Sequence, residues 1–402
     1  MSRRVLLHVG TPKTGTSHLQ DVLFRNRDRL REQGLLYLAD RFDAHFLAAL
    51  DLMQLRWGGL EDECVGAWER LAEGVRRHDG TAIISHEILA TASRGQAERA
   101  LASLGHPDTE IHVVLSVRDL VRQIPAEWQE NVKHRRVLDF GTFLAQLRDP
   151  SRSQGVAPWF WGVQEVPDIL DRWARDLPPE RVHLVTVPPP GGDPDLLWRR
   201  FSAAFGLDGL DLDQTAERAN PSLGVPETAL LRRLNRQATD LVPPDAYRPL
   251  VRELLAHQTL SRRRGSPRLT LPPEEHAWVA ATTDSWIATI RERGYDVVGD
   301  LDDLVGTPPT TYADPDRPDE AQVADAAVDA LTALLVENAR LLRSEQDLAR
   351  RLGETESALE RSYLRPTYRL REKTVRALQH STAGRKLLGA YRRLRGRSSR
   401  SA

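Results

Sequence analysis

A glycine-rich segment near the start of the chain has residue types suited to holding a phosphate group. Gly10 and Gly15 can bend the backbone closely around an anion, and Lys13 supplies a positive charge. The hydroxyl groups of Thr16 and Ser17 stand at positions typical of a helix N-cap. An apolar run precedes the segment and a helical pattern follows it, so free helix amides would face the same anion. We therefore predict a phosphate-binding loop in Gly10-Thr11-Pro12-Lys13-Thr14-Gly15-Thr16-Ser17.

The position of the lysine separates this loop from the P-loop of nucleotide hydrolases. In that motif the second glycine is followed directly by lysine and then by serine or threonine. Here Gly10 and Gly15 have the same spacing, but Thr16 follows the second glycine and Lys13 precedes it. This order disfavours a P-loop kinase that uses Mg-ATP, which we keep as an alternative function. A glycine-rich turn that binds nothing is the other alternative.

Two adjacent residues after a second apolar run are candidates for a general base. His86 and Glu87 follow the run at residues 82–84. Neighbouring residues on a strand point to opposite faces, so only one of the two would face the site. We favour Glu87 over His86. In the alternative interpretation, Glu87 caps the next helix and His86 is buried and hydrogen-bonded.

Basic and aromatic residues further along the chain are additional candidates. Arg118 follows the run at residues 111–115, and its guanidinium is suited to phosphate, although it could instead pair with Asp119. The cluster Arg262-Arg263-Arg264-Gly265 is either a second basic loop or a solvated charge run. Residues that could line an acceptor pocket, or belong to the core, are Trp128, Glu130, Lys133, His134, Trp159, Phe160 and Trp161.

The elements that must position these residues follow a β-α-β pattern. Short aliphatic runs at residues 5–9, 82–84, 111–115 and 182–187 are typical of buried parallel strands. Longer amphipathic segments lie between them. The pattern predicts an α/β fold with a P-loop-type parallel sheet flanked by helices, followed by a helical, coiled-coil extension.

The loop and the order of strand ends resemble those of sulfotransferases that use 3′-phosphoadenosine 5′-phosphosulfate (PAPS). The resemblance covers about residues 4–305. It implies that residues 12–17 bind the 5′-phosphosulfate, with Lys13 on the bridging and leaving oxygens. It also implies that Arg118 binds the 3′-phosphate. Arg264 and Gly265 would close over the adenine and the 3′-phosphate.

One position departs from the family pattern. Family members carry a serine eight residues after the arginine, and this chain has Ala126 there. Arg122 is close enough in sequence to replace the missing contact, and Gln123 is a further candidate. Some branches of the family use a histidine as the base near residue 86 and others a glutamate, so the resemblance leaves both candidates open.

The resemblance implies a reaction and a co-substrate. The protein would transfer a sulfuryl group from PAPS to a hydroxyl or amine of an unknown acceptor, such as a glycan or glycolipid. We expect no metal, because no Cys/His cluster has metal-ligand spacing and no acidic pair indicates a magnesium site. We expect no nucleic-acid partner.

The C-terminal quarter lies outside the resemblance. Residues 306–320 are proline-rich and predicted to be a linker after a first domain at 1–305. Residues 321–360 have leucines at alternating three- and four-residue steps, which predicts a coiled coil and a homodimer. Residues 361–402 carry thirteen Lys/Arg and one acid, so this tail could bind an anionic membrane or only aid solubility. A non-catalytic membrane-associated scaffold is therefore a second alternative function.

Composition bounds the cellular compartment. The single cysteine, Cys64, allows no intrachain disulfide, which fits a reducing compartment. The first apolar run is too short for a signal peptide, and no stretch has the roughly 18 apolar residues needed to cross a bilayer. We expect a cytoplasmic protein.

Overall fold

The computed structural model describes residues 2–215 and 222–364, together with residues 370, 373–375 and 378. The chain divides into two compact units, Met1–Ala330 and Leu331–Ala402. The candidate site residues all lie in the first unit.

A parallel sheet forms the centre of the first unit. Within the described residues it has six strands in the order β2-β3-β1-β4-β5-β6, and all of the pairs are parallel. The predicted α/β fold with a helix-flanked parallel sheet is therefore confirmed. The strands are β1 (Arg4–His8), β2 (Leu35–Leu36), β3 (Thr81–Ser85), β4 (Glu110–Val117), β5 (Val182–Thr186) and β6 (Asp296–Val298).

Helices surround the sheet because the central strands are apolar on both faces. Leu6 of β1 and Ile83 of β3 pack with residues of the first and eleventh helices, and Val5 and Leu7 are buried on the opposite face. In the described residues the α-helices are α1 (Thr16–Arg25), α2 (Arg27–Glu32), α3 (Ala44–Met53), α4 (Glu61–Cys64), α5 (Ala67–Arg77), α6 (Arg94–Ser103), α7 (Leu120–Lys133), α8 (Phe140–Arg148), α9 (Ala157–Gln164), α10 (Val166–Ala174), α11 (Leu196–Phe205), α12 (Val225–Ala238), α13 (Pro244–Tyr247), α14 (His276–Arg293) and α15 (Glu320–Leu364).

The strand order creates a crevice at the carboxyl edge of the sheet. The chain leaves β1 towards β2 and β3 on one side, then crosses to β4, β5 and β6 on the other. Ligands of open α/β sheets bind at such a reversal, outside the carboxyl ends of the strands. The loop after β1, the residues after β3 and the residues after β4 are therefore brought together.

The segment predicted as a linker is attached to the first unit. Asp316 accepts hydrogen bonds from the backbone amides of Phe140 and Gly141 and pairs with Arg232. The helix that follows, α15, begins at Glu320, and Ala326 in its second turn is fully buried. The first compact unit thus extends past the predicted domain end at residue 305.

The second unit contains the rest of α15. Leu331, Leu341, Leu348, Leu352 and Leu359 are exposed along this helix. A coiled coil with a second copy of the chain would cover them, and the homodimer stays a prediction. The predicted tail at 361–402 lies mostly outside the described residues. No helix in the described part of the chain is long and apolar enough to cross a membrane.

Candidate active site at the carboxyl edge of the sheet

Hydrogen bonds to β4 hold the predicted phosphate loop. The Ser116 amide donates to the Gly10 carbonyl at 2.7 Å, and the Thr11 amide donates to the Ser116 carbonyl at 2.8 Å. Gly10 has a φ of 132°, and a Cβ there would lie 3.0 Å from the carbonyl oxygen of Glu87. Only glycine suits this position, because the loop passes directly over the residues that follow β3.

The loop ends at a helix N-terminus, as predicted, but the capping residue differs. Gly15, with a φ of 90°, is the N-cap of α1, and no side chain caps the helix. Thr16 is therefore the first helical residue and does not cap the helix with its hydroxyl. Thr14 is fully buried, and its hydroxyl is bonded to the Thr11 carbonyl and to Ser116. Backbone amides at the start of α1, with Lys13, are thus the groups best placed to meet an anion.

A buried histidine that sequence analysis missed is hydrogen-bonded to a serine that holds the loop. His8 is the last residue of β1; its Nδ1 is 2.8 Å from Ser85 Oγ and its Nε2 is 3.1 Å from Ser116 Oγ. Ser116 Oγ in turn donates to the Gly10 carbonyl at 2.9 Å. Burial lowers the pKa of His8 to about 4, so the ring is neutral near pH 7. The network therefore connects the ends of three strands without adding a charge.

Arg118 lies beside the loop, as predicted. Its Nη1 donates to the Lys13 carbonyl at 3.3 Å, and its Nε is buried without a hydrogen-bond partner. Burial, with the neighbouring Arg122, lowers the pKa of Arg118 to about 10. Among the described residues, no carboxylate lies within ion-pair distance of this guanidinium. Arg118 is therefore a partly buried cation with open hydrogen-bonding capacity.

The two residues considered as replacements for the family serine are already engaged. Arg122 pairs with Asp119, which caps α7, and donates to the Pro188 carbonyl at 3.1 Å. Gln123 donates to the Pro12 carbonyl at 2.7 Å, and its Oε1 is buried without a hydrogen-bond partner. Both side chains hold the loop or the strand ends, so their predicted contact with a 3′-phosphate would require them to change partners.

The Lys13 ammonium group contacts α7, where the Glu130 carboxylate lies close to several basic side chains. Lys13 Nζ lies 2.5 Å from Glu130 Oε2, and His134 Nε2 lies 3.2 Å from Glu130 Oε1. Burial alone would raise the pKa of Glu130, but the His134 hydrogen bond and the charge of Lys13 outweigh it and hold the pKa well below its usual range. The ionised Glu130 thus keeps Lys13 in place in the absence of a ligand.

The two candidate bases differ in their hydrogen bonds. Glu87 accepts a 2.7 Å hydrogen bond from Gln20. Burial opposes ionisation of Glu87, but hydrogen bonds, including the one from Gln20, favour the carboxylate and its pKa is lowered, so it is ionised at neutral pH. His86 accepts the Ile88 amide at Nδ1, at 3.2 Å, and burial lowers its pKa. A neutral ring that accepts at Nδ1 carries its proton on Nε2, so Nε2 is a donor.

The predicted late basic loop is held by a buried acid. Arg263 Nε donates to Glu227 at 2.8 Å, and Ser266 Oγ donates to the same oxygen at 2.6 Å. Arg264 and Gly265 are exposed. In the described residues, no hydrogen bond or ion pair joins these two positions to the loop at residues 10–17. The structure therefore joins Arg118 to Lys13 by a hydrogen bond, and the role of Arg264 and Gly265 stays a prediction.

The aromatic candidates divide into core and surface groups. Trp128, Phe160 and Trp161 are buried, and their rings belong to the core. Trp159 is 39% exposed, and its ring centroid lies 6.2 Å from that of Trp57, a residue that sequence analysis did not select. Among the aromatic candidates, Trp159 is therefore the residue whose ring is accessible to a ligand.

The Trp57 ring is close to that of His134, and Phe46 contacts both Trp57 and His86. The Trp57 ring is 6.5 Å from His134 and 5.7 Å from Phe46, which stacks on His86 at 4.9 Å. Trp57 is thus linked to His134 directly and to His86 through Phe46. In the part of the chain that the structure describes, no group of three His, Cys, Asp or Glu side chains could hold a metal ion.

Comparisons with known proteins give one distant similarity. No protein-family model and no curated protein matches the chain. Among solved structures, the chain is similar to a sulfotransferase from Alicyclobacillus acidocaldarius. The two are 20% identical over 62% of this chain and 96% of that one, with a TM-score of 0.38. The functional argument therefore depends on the geometry of the site itself.

The neutral buried histidines predict a loss of stability in acid. His45 accepts the Ser85 amide, and burial lowers its pKa to about 4, as for His8. The unfolded chain protonates both rings near pH 6.5, but the folded protein does so only near pH 4. The free energy of unfolding should therefore fall between pH 6.5 and 4, by up to about 1.4 kcal/mol per pH unit for each histidine.

Urea unfolding at a series of pH values measures this slope. His8→Asn and His45→Gln should each remove about one of the protons taken up on unfolding, whatever their effect on stability at pH 7. A wild-type free energy of unfolding that stays constant from pH 7 to pH 4.5 would contradict the assignment.

Proposed function

We propose that this protein is a sulfotransferase that moves a sulfuryl group from PAPS to a hydroxyl or amine of an acceptor. The observation that carries the proposal is Arg118, a partly buried guanidinium with no carboxylate partner among the described residues, hydrogen-bonded to the carbonyl of Lys13. A buried cation is costly unless an anion accompanies it. A donor with phosphate groups at both its 3′ and 5′ positions would supply one anion to Arg118 and another to the loop.

The loop supports the proposed chemistry at the donor sulfur. The acceptor oxygen attacks sulfur as the bond from sulfur to the 5′-phosphate oxygen breaks, and negative charge develops on the leaving phosphate. Lys13 and the first amides of α1 are placed to stabilise that charge. When the donor binds, Lys13 would shift at least part of its three N–H donors from Glu130 to the donor oxygens.

Glu87 is the better candidate for the base. It is ionised at neutral pH, and the Gly10 backbone of the loop lies against its carbonyl. A proton from the acceptor hydroxyl would pass to its carboxylate. His86, which has its proton on Nε2 in the observed arrangement, would have to change tautomer before it could accept a proton there.

Ligand-induced stabilisation tests the donor class. Adenosine 3′,5′-bisphosphate, the nucleotide product, should raise the melting temperature in the presence of EDTA, because the proposed contacts come from side chains and amides. Mg-ATP should raise it far less, since ATP has no 3′-phosphate for Arg118. Stabilisation by Mg-ATP alone would support a P-loop kinase, and stabilisation by neither nucleotide would favour a scaffold.

Two substitutions separate the candidate bases. Glu87→Gln should lower the rate of transfer of a radiolabelled sulfuryl group from PAPS by about 10²–10⁴-fold, with unchanged affinity for adenosine 3′,5′-bisphosphate. His86→Asn is the matched variant, because the asparagine oxygen can still accept the Ile88 amide. It should keep most of the activity. Equal losses in both variants, or full activity in both, would show that Glu87 is not the base.

A further inference from the structure

The carboxylate of Glu130 lies close to several basic side chains. Besides Lys13 and His134, Lys133 Nζ lies 3.9 Å from its Oε2 and Arg252 Nη2 lies 3.7 Å from its Oε1. Three of these groups, Lys13, Lys133 and Arg252, are lysine or arginine. One carboxylate therefore faces three such cations in a partly buried setting.

The nearby Glu127 carries only part of a negative charge near pH 7. Burial raises its pKa to about 7, in spite of the charge of Lys13, and its Oε2 is buried without a hydrogen-bond partner. Arg252 Nε is also buried without a partner. When Lys13 moves to the donor, the Arg252 guanidinium beside Glu130 keeps this open Nε. An anion bound next to Arg252 would accept its hydrogen bond and offset its charge.

Arg252 belongs to an unusual helical segment. The π-helix Arg248–Thr259 is wider than an α-helix, and helices of this type are rare and often lie at functional sites. Arg252 and His257 of this helix both interact electrostatically with Lys133. The π-helix thus brings a second element to the basic groups at the end of α7.

The cluster around Glu130 and the proposed 3′-phosphate site at Arg118 lie towards opposite ends of α7. Arg118 precedes the first turn of α7 and Lys133 is its last residue. A rise of 1.5 Å per residue puts roughly 20 Å between their backbones. Lys13 contacts both ends, through its carbonyl to Arg118 and its ammonium to Glu130. The donor sulfur would lie near Lys13, so the cluster around Lys133 lies on the acceptor side.

The aromatic surface defined by Trp57 and Trp159 adjoins this cluster. The Trp57 ring lies 6.5 Å from that of His134 and 6.2 Å from that of Trp159. Partly exposed indole faces suit the flat face of a sugar or aromatic ring. Ring-binding and anion-binding groups therefore lie side by side.

We propose that the acceptor is a ring compound, a sugar or an arene, that carries an anionic group, and that Arg252 binds this group while Trp57 and Trp159 contact the ring. The inference rests on the proposed function, because it assumes that the donor occupies Lys13 and Arg118. It assigns to Arg252 a role in acceptor specificity that nothing in its sequence context indicated.

The test compares two probes that differ in one charge. p-Nitrophenyl β-glucuronide has a carboxylate where p-nitrophenyl β-glucoside has a neutral hydroxymethyl group. Binding to the full chain is measured by calorimetry, with and without saturating adenosine 3′,5′-bisphosphate. Wild-type protein should bind the glucuronide roughly tenfold more tightly than the glucoside, the effect of one partly buried charge pair.

Substitutions in the π-helix test whether Arg252 causes the preference for the glucuronide. Arg252→Gln should abolish it without changing the affinity for adenosine 3′,5′-bisphosphate, and Arg252→Lys should retain most of it. Arg248→Gln is the matched control, since Arg248 is exposed on the same helix and lies near Glu253 rather than Glu130. Melting temperatures of all variants show whether the fold is kept, and Arg252→Met is a second neutral variant that should lose the preference if Arg252→Gln fails to fold.

Four results would overturn the inference. These are equal affinity for the two probes, no binding of the glucuronide at millimolar concentration, a preference that survives Arg252→Gln, and a loss of bisphosphate affinity in Arg252→Gln that matches the loss of glucuronide affinity. The last result would assign Arg252 to the donor. Failure of wild-type protein to bind the bisphosphate, with the glucuronide preference intact, would contradict the sulfotransferase proposal and leave the anionic subsite standing.

Discussion

The candidate site depends on the pairing between the loop after β1 and the end of β4. The two backbone hydrogen bonds between Gly10, Thr11 and Ser116 continue the β1–β4 ladder beyond the last residue of β1. His8 and Ser116 then attach the same point to the end of β3 through side chains. Because these contacts are buried, the loop is fixed on the sheet and cannot move independently of it.

The pairing of the loop with β4 also fixes the positions of two cations, Lys13 and Arg118. The loop carries Lys13 towards α7, and β4 delivers Arg118 to the carbonyl of the same lysine. One side chain, Lys13, has a carboxylate partner, and the other, Arg118, has none among the described residues. The two cations would thus bind anions in different ways. An anion at Lys13 would take the place of Glu130, whereas an anion at Arg118 would displace no carboxylate.

The fold could be predicted from the sequence because four strands are continuous aliphatic runs. β2 and β6 were missed because they have only two and three residues and lack a fully buried run. The loop was recognised because glycine spacing and a lysine are visible in the sequence. Gly15 took the N-cap position instead of a hydroxyl residue, a choice that a left-handed backbone dictates and that sequence spacing does not reveal.

Other parts of the site depend on contacts between distant residues. His8 looks like one polar residue in a strand, and its two hydrogen bonds appear only when β3 and β4 bring Ser85 and Ser116 next to it. Arg122 is near Arg118 in sequence and was expected to contact the 3′-phosphate, but its guanidinium pairs with Asp119. The meeting of Arg252 with Glu130 joins residues 122 positions apart, and no local pattern indicates it.

The most direct test of the central claim measures the coupling between Arg118 and a 3′-phosphate. Calorimetry gives the affinities of wild-type protein and Arg118→Met for adenosine 3′,5′-bisphosphate and for adenosine 5′-monophosphate. Wild-type protein should prefer the bisphosphate by roughly 10–100-fold, the effect of a charge-assisted contact of about 1.5–3 kcal/mol. In Arg118→Met this preference should disappear, while binding of the monophosphate changes little. A variant that keeps the full preference would contradict the assignment of Arg118 as the 3′-phosphate ligand.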